Sequence, residues 1–130
     1  MKPLRYVRFV VAERSPQTGH RLGLFNGIDN VRGHFSAEQD ARYQSIYDWF
    51  AKNLPAPTRF TRSKYPRAAD VALSWFKDDA EEFISGMREI AAILASHGVD
   101  TEMLKTERPG YIVYEDEHQV VATPFADTPT

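Results

Sequence analysis

The densest set of potential metal ligands in the sequence is Glu115-Asp116-Glu117-His118. Carboxylate oxygens are the ligands that magnesium and manganese prefer, and an imidazole adds a nitrogen ligand. Consecutive residues across a hairpin turn cannot all face one ion, so a solvent-exposed acidic turn is the favoured interpretation. Glu115, Glu117 and His118 are therefore weak metal candidates. A metal-dependent hydrolase that uses residues 115–118 is one alternative function.

A second candidate site lies between residues 59 and 67, where basic and aromatic side chains alternate and acidic ones are missing. The residues of this loop that could bind a partner or a nucleic acid are Arg59, Phe60, Arg62, Lys64, Tyr65 and Arg67. Such cations follow a phosphate backbone while aromatic rings stack on bases. The loop therefore supports nucleic-acid binding as an alternative function, against the plainer interpretation that it pairs with acidic residues of the same chain.

Trp49 is the third candidate, because it lies at the edge of the apolar stripe of a predicted helix. A partly exposed tryptophan is a frequent anchor in protein interfaces. Large aromatic residues are more often mostly buried, so a position at the edge of the core is favoured over a partner anchor.

Common catalytic signatures are missing from these 130 residues, which contain no P-loop, G-x-S-x-G, H-E-x-x-H or dinucleotide-binding motif. The sequence also has no cysteine, which excludes disulfides, thiolate metal sites and cysteine nucleophiles. These observations lean against an enzyme, and they indicate no cofactor.

The net charge of −2 conceals an uneven distribution of charge along the chain. The first 69 residues contain 12 basic and 5 acidic side chains, and the last 61 contain 4 and 13. Charge complementarity steers the encounter of oppositely charged surfaces. The sequence therefore favours a non-enzymatic binding or regulatory module that acts through a protein partner or by self-association.

The length of 130 residues and the hydrophobic share of 42% are typical of one globular domain. We expect a single domain over residues 1–123 and a flexible C-terminal tail over 124–130, which contains two prolines. No stretch approaches the roughly 20 apolar residues of a membrane span, so we expect no membrane association and a cytoplasmic location.

The candidate residues depend on a set of predicted helices and strands. Apolar residues at three- and four-residue intervals predict helices over about 37–53 and 80–97. Ser36 and Gln39 form a capping-box signature at the start of the first. Alternation or short apolar runs predict strands over 4–12, 71–77, 101–106, 111–114 and 119–123. Residues 20–33 fit either a returning strand or a short helix.

This order of elements predicts an α+β fold. We expect a two-layer sandwich in which a mixed β-sheet of about four to five strands carries two main helices on one face.

Two stretches, Ser74-Trp75-Phe76-Lys77 and the segment PGYIVYEDEHQVVA at 109–122, resemble small uncharacterised bacterial proteins. The resemblance covers the second half of the chain best. It implies a bacterial or mobile-element origin, and it implies no activity, cofactor or catalytic residue.

Overall fold

The computed structural model describes residues 5–55 and 72–130, in which the chain forms six strands and three α-helices. The strands are β1 (Tyr6–Arg14), β2 (Arg21–Gly23), β3 (Leu73–Lys77), β4 (Thr101–Thr106), β5 (Tyr111–Glu115) and β6 (Gln119–Thr123). The helices are α1 (Leu24–Val31), α2 (Ala37–Asn53) and α3 (Glu81–Ser96), and a 3₁₀ turn, Arg32–His34, follows α1. The predicted α+β class is confirmed.

The strands form one antiparallel sheet in the order β2-β1-β3-β6-β5, and β4 also pairs with β1. The sheet is antiparallel rather than mixed. A mixed sheet would need parallel neighbours, such as β3 and β4, the two strands that α3 connects. Both strands pair with β1 instead, so they are not neighbours in the sheet. The sheet also has six strands rather than four to five.

Strand β2 and helix α1 both lie within residues 20–33, for which the sequence is compatible with either a strand or a short helix. The chain forms the short strand β2 and then turns directly into α1, with Gly23 at the helix N-cap. The side chains of Leu24 and Ile28 in α1 are completely buried. The apolar residues at helical spacing thus face the core, and the strand ends before them.

Helix α2 has the predicted bounds and begins with the predicted capping box. The Ser36 hydroxyl accepts a hydrogen bond from the backbone N–H of Gln39, and the Gln39 side-chain oxygen accepts one from the backbone N–H of Ser36, both at 3.1 Å. This reciprocal pair satisfies two N–H groups that have no partner within the helix. None of the described helices is long and apolar enough to cross a membrane.

The described residues divide into two compact units. The first contains residues 5–8, 72–81 and 103–130, and the second contains residues 9–55 and 82–102. The expectation of a single domain over 1–123 stays a prediction.

The first unit is built on the pairing of β3, β6 and β5. Trp75 of β3 lies opposite Val120 of β6, and both side chains are buried. A close turn precedes β5, where Gly110 has a φ of +132°. A Cβ atom on Gly110 would lie 2.0 Å from the backbone oxygen of Thr123, so only glycine fits.

The residues after β6 contact the loop between β4 and β5. Thr128 is buried, and its hydroxyl donates a hydrogen bond to the backbone oxygen of Arg108 at 3.0 Å. The Arg108 guanidinium lies 5.1 Å from the centre of the Phe125 ring and 3.3 Å from Asp127. These contacts place the segment without measuring its motion, so the flexible tail over 124–130 stays a prediction.

The second unit packs the three helices beside β1 through close approaches at glycine. A Cβ atom on Gly27 of α1 would lie 2.9 Å from Val11 of β1 and 3.5 Å from Leu94 of α3. A Cβ atom on Gly86 of α3 would lie 2.8 Å from the ring of Phe50 in α2. The absence of side chains at these two positions lets the elements approach closely.

Candidate functional site

The basic and aromatic residues Arg59, Phe60, Arg62, Lys64, Tyr65 and Arg67 lie outside the residues that the structure describes. Nucleic-acid binding through this loop therefore stays a prediction. The described residues do show ion pairs between the basic and acidic halves of the sequence. They are Arg5–Glu107, Arg21–Glu102 and Arg42–Glu89.

Trp49 lies beside the aromatic core of the second unit. Its ring centroid is 4.8 Å from that of Phe83 in α3 and 5.8 Å from that of Phe50. The side-chain amide of Asn53 donates a hydrogen bond to the backbone oxygen of Trp49 at 2.8 Å. The half-buried ring thus packs between helices, and its role as a partner anchor stays a prediction.

The side chains of the acidic turn, 115–118, do not converge on one point. Glu115 forms an ion pair with Lys77 at 2.6 Å, and Glu117 lies 3.8 Å from the His118 ring in an exposed position. The described residues contain no group of three or more histidine, aspartate or glutamate side chains placed to hold a metal ion. The acidic turn therefore offers these side chains at different places rather than around one point.

Asp116 organises this turn through both carboxylate oxygens. Oδ1 accepts hydrogen bonds from the backbone N–H groups of His118 and Gln119 at 2.8 and 3.0 Å. Oδ2 accepts hydrogen bonds from the Tyr114 hydroxyl and the Gln119 side-chain amide at 2.8 and 2.9 Å. Burial alone would raise the pKa of Asp116, but these four hydrogen bonds to the charged form lower it below its ordinary value. Asp116 therefore has a structural role in the turn, as the common acceptor of four hydrogen bonds.

Lys77, Glu115 and Tyr6 form a second small polar group in the first unit. The Lys77 side chain is only 15% exposed, and Tyr6 of β1 lies opposite Lys77 in the strand register. Burial is the main reason that the pKa of Tyr6 is raised, Glu115 raises it further, and Lys77 opposes the change. This group is an ion pair beside a tyrosine.

A site that the sequence did not single out lies where α1 meets α2. Three rings form a triangle here, with centroid distances of 6.4 Å for Phe25–Tyr43, 5.9 Å for Phe25–Tyr47 and 6.1 Å for Tyr43–Tyr47. We call Phe25, Tyr43 and Tyr47 the aromatic surface. Tyr43 is buried, Phe25 is half-buried, and Tyr47 is 48% exposed. Tyr47 is thus the ring of this surface that is most accessible to solvent, and Phe25 and Tyr43 pack against it.

The positions of these rings follow from helical spacing. Tyr43 and Tyr47 are four residues apart on α2, so they lie on the same side of the helix, one turn apart. Phe25 is in the first turn of α1. Two other residues of this helix, Leu24 and Ile28, are completely buried in the core. Burial of α1 therefore holds Phe25 against α2.

A hydrogen-bonded chain of polar side chains borders the aromatic surface, and we call it the polar border. The Arg32 guanidinium donates to Asp40 at 2.8 Å and to the Gln44 side-chain oxygen at 2.7 Å. The Gln44 amide in turn donates to Asp48 at 2.8 Å. Arg32 also lies over the Tyr43 ring, 4.9 Å from its centre. An apolar centre with a polar border is the usual composition of a protein interface.

The electrostatics of the surface are dominated by Arg32 and its acidic neighbours. The hydrogen bond with Asp40 is the largest cause that raises the pKa of Arg32, so its cation is firmly held. Burial raises the pKa of Tyr43, the Arg32 cation lowers it, and the exposed Asp29 raises it again. The raised pKa keeps the Tyr43 hydroxyl neutral at physiological pH.

The apolar residues at helical spacing in the predicted helix over 37–53 include Tyr43, Ile46, Tyr47 and Phe50. The structure buries Tyr43, Ile46 and Phe50 and leaves Tyr47 half-exposed. A usable signal was present, since tyrosine combines an apolar ring with a polar hydroxyl and suits the edge of a stripe. Nothing in the sequence indicated that Phe25 would support it.

Comparisons of this chain with protein-family models, with curated proteins and with solved structures found no match. The interpretation of the site therefore rests on its geometry and chemistry.

Proposed function

We propose that this chain is a non-enzymatic binding module that recognises a different protein through the aromatic surface. The supporting observation is the half-exposed ring of Tyr47, held by Phe25 and Tyr43 and flanked by the polar border. Tyrosine, tryptophan and arginine are the residues that most often carry the binding energy of protein interfaces.

Preorganisation strengthens this argument. Ring contacts with Phe25 and Tyr43 restrict Tyr47 before any partner arrives, so less side-chain entropy is lost on binding. The hydrogen bonds from Arg32 to Asp40 and Gln44 already exist in the free chain, so these groups stay satisfied when water is displaced.

Charge favours a different protein over a second copy. A two-fold dimer places the same patch of both copies face to face. Asp48, next to Tyr47 on α2, is exposed, and so is Asp29, which acts electrostatically on Tyr43 of the same surface. The structure gives neither carboxylate an ion pair with any residue that it describes. Self-pairing would bring these like charges together, which opposes association.

Site-specific photo-crosslinking in the native host tests this proposal. The photoreactive residue p-benzoylphenylalanine replaces Ala51, an exposed residue one helical turn beyond Tyr47, so that the aromatic surface stays intact. The matched control replaces Glu38, an exposed residue at the start of the same helix on the side opposite Tyr47. We expect a discrete adduct with another protein from position 51 and none from position 38.

The change Tyr47→Ala in the position-51 protein should abolish that adduct, whereas Tyr111→Ala should leave it unchanged. Tyr111 is a fair comparison because it is also 48% exposed but lies on β5 in the first unit. Equal adducts from both positions, an adduct that survives Tyr47→Ala, or an adduct only at twice the mass of the chain would overturn the proposal.

A further inference from the structure

Helix α2 contains a binding arrangement for a guanidinium group that the chain itself fills. Arg32 lies over the Tyr43 ring at 4.9 Å, while its nitrogens donate to Asp40 and to the side-chain oxygen of Gln44. The three side chains that bind the guanidinium all lie on α2. They are the carboxylate of Asp40, the ring of Tyr43 three residues later, and the amide of Gln44 in the position after that. Together they supply an aromatic face and two oxygen acceptors to one planar cation.

The same chemical set recurs one helical turn later. Gln44 takes the place of Asp40, Tyr47 that of Tyr43, and Asp48 that of Gln44. A step of four residues is close to one turn, so the second set repeats the relative placement of the first. The amide and the carboxylate have exchanged positions, but the set again combines an aromatic ring, an amide and a carboxylate.

Among residues 5–55 and 72–130, no cation occupies the second set in the way that Arg32 occupies the first. The structure gives Asp48 one hydrogen bond, from the Gln44 amide to Oδ1, and no ion pair with a residue of 5–55 or 72–130. Its Oδ2 atom accepts no hydrogen bond from any of the described residues. The Tyr47 ring is half-exposed beside it, whereas Tyr43 in the occupied set is buried.

We propose that the second set receives an arginine side chain of the protein partner. The guanidinium stacks on the exposed part of the Tyr47 ring and donates to Oδ2 of Asp48. Exposed Asp29, which acts electrostatically on both Arg32 and Tyr43, adds negative potential that attracts the incoming cation. This inference rests on the proposed function and names the chemistry of its partner, a protein segment that carries arginine.

Arginine fits better than lysine for a geometric reason. A guanidinium is planar and stacks on an aromatic ring while its edge donates hydrogen bonds, as Arg32 does within this chain. An ammonium group is a point charge that cannot do both with the same face. We therefore expect preference for arginine over lysine in otherwise identical peptides.

A peptide titration followed by nuclear magnetic resonance tests the inference on the full chain. The probe is acetyl-Gly-Arg-Gly-amide, and its matched control carries citrulline, which has the shape of arginine without the charge. We expect shifts centred on Tyr47 and Asp48 with a dissociation constant in the range of about 1–10 mM, as one exposed cation–π contact and one ion pair allow. The citrulline peptide should bind at least several-fold more weakly.

Three variants locate the binding. Asp48→Asn removes the charge but keeps an oxygen for the Gln44 amide, and Tyr47→Leu keeps an apolar side chain without the aromatic face. Each variant should raise the dissociation constant of the arginine peptide at least about threefold, which is the effect expected from the loss of one exposed contact. Glu38→Gln is the control, because Glu38 is an exposed acid at the start of α2 away from this set, and it should change nothing.

Shifts away from Tyr47 and Asp48, equal binding of the citrulline peptide, or equal effects of all three variants would overturn the inference. The spectrum of each variant without peptide reports whether it folds, so a loss of structure is recognised directly.

The proposed function and the arginine contact can be distinguished by experiment. If the crosslinked partner depends on Tyr47 but not on Asp48, binding through the aromatic surface stands and the arginine contact is wrong.

Discussion

The ring of Phe25 in α1 meets the ring of Tyr47 in α2 edge-on, with 5.9 Å between centroids and 84° between planes. This geometry sets the positive edge of one ring against the negative face of the other. The contact makes the exposed tyrosine depend on a residue that lies 22 positions earlier in the sequence. Changes at the two positions should therefore have different consequences.

Phe25→Ala should lower the free energy of unfolding by about 2 kcal/mol, because the half-buried ring contacts Tyr43, Tyr47 and Phe50. Tyr47→Ala should cost only about 1 kcal/mol, since about half of its side chain is already exposed. Urea unfolding of both variants measures the difference. Equal losses would show that Phe25 does not support the surface.

Gly86→Ala should destabilise the protein by about 1 kcal/mol, although alanine is the better helix former. The added methyl group would lie 2.8 Å from the Phe50 ring, which is held by contacts with Trp49 and Phe83 and cannot move freely. Gly33→Ala is the control, because no atom lies within 4 Å of that position. Thermal unfolding should give a lower midpoint for the first variant and no decrease for the second.

Asp116→Ala should lower the free energy of unfolding by about 2 kcal/mol, because it leaves four hydrogen-bond donors of the turn without their acceptor. Asp116→Asn should cost about half as much, since an amide oxygen can still accept from the two backbone N–H groups. The exposed neighbour Glu117 supplies the control, and Glu117→Ala should change the free energy of unfolding by less than about 0.5 kcal/mol. A similar loss for all three variants in urea unfolding would contradict the role of Asp116.

The contribution of Asp116 should also depend on pH. Its pKa is lowered in the folded protein, so the unfolded chain binds this proton more readily than the folded one. The stabilisation is complete above the unfolded pKa, about 3.9, and is lost as the pH falls through the lower folded pKa. The stability difference between the unchanged protein and Asp116→Asn should therefore shrink between about pH 6 and pH 2. A difference that grows on acidification would reverse the sign of this argument.

The pKa of Tyr6 should respond in opposite directions to changes at its two charged neighbours. Glu115→Gln removes a negative charge that raises this pKa, so the pKa should fall, although burial keeps it above the ordinary value. Lys77→Met removes a positive charge that lowers the pKa, so the pKa should rise further. Ring-labelled tyrosine followed by nuclear magnetic resonance resolves Tyr6 from the other five tyrosines. Shifts of the same sign in both variants would exclude this electrostatic account.

The elements that local patterns describe well were predicted closely. Helix α2 has the predicted bounds because Ser36 and Gln39 cap it locally and its apolar residues repeat at helical spacing. Strands β4 and β6 match their predicted ranges. Residues 20–33 could not be assigned because strand and helix follow each other there within eleven residues, Arg21–Val31.

The candidate site was harder to predict. Periodicity places Tyr47 on the apolar face of its helix, but it does not show where a neighbouring helix stops covering that face. Asp116 was recognised as part of an acidic turn, while its role as the common acceptor required the folded hairpin. The pairing of Arg32 with Asp40 and Tyr43 likewise depends on how α1 is placed against α2.

The sequence by itself determined the class of fold and most of the helices and strands, because capping, periodicity and turn residues act over a few neighbouring positions. Only the tertiary structure decided that β3 and β4 both pair with β1 and that three rings from two helices meet at one surface. Both features depend on contacts between residues far apart in the chain, and such contacts leave no periodic pattern in one sequence. The repeated set of an aromatic ring, an amide and a carboxylate on α2 depends on both sequence and tertiary structure. Its four-residue spacing can be read from the sequence, whereas the binding of Arg32 by the first set is visible only in the folded chain.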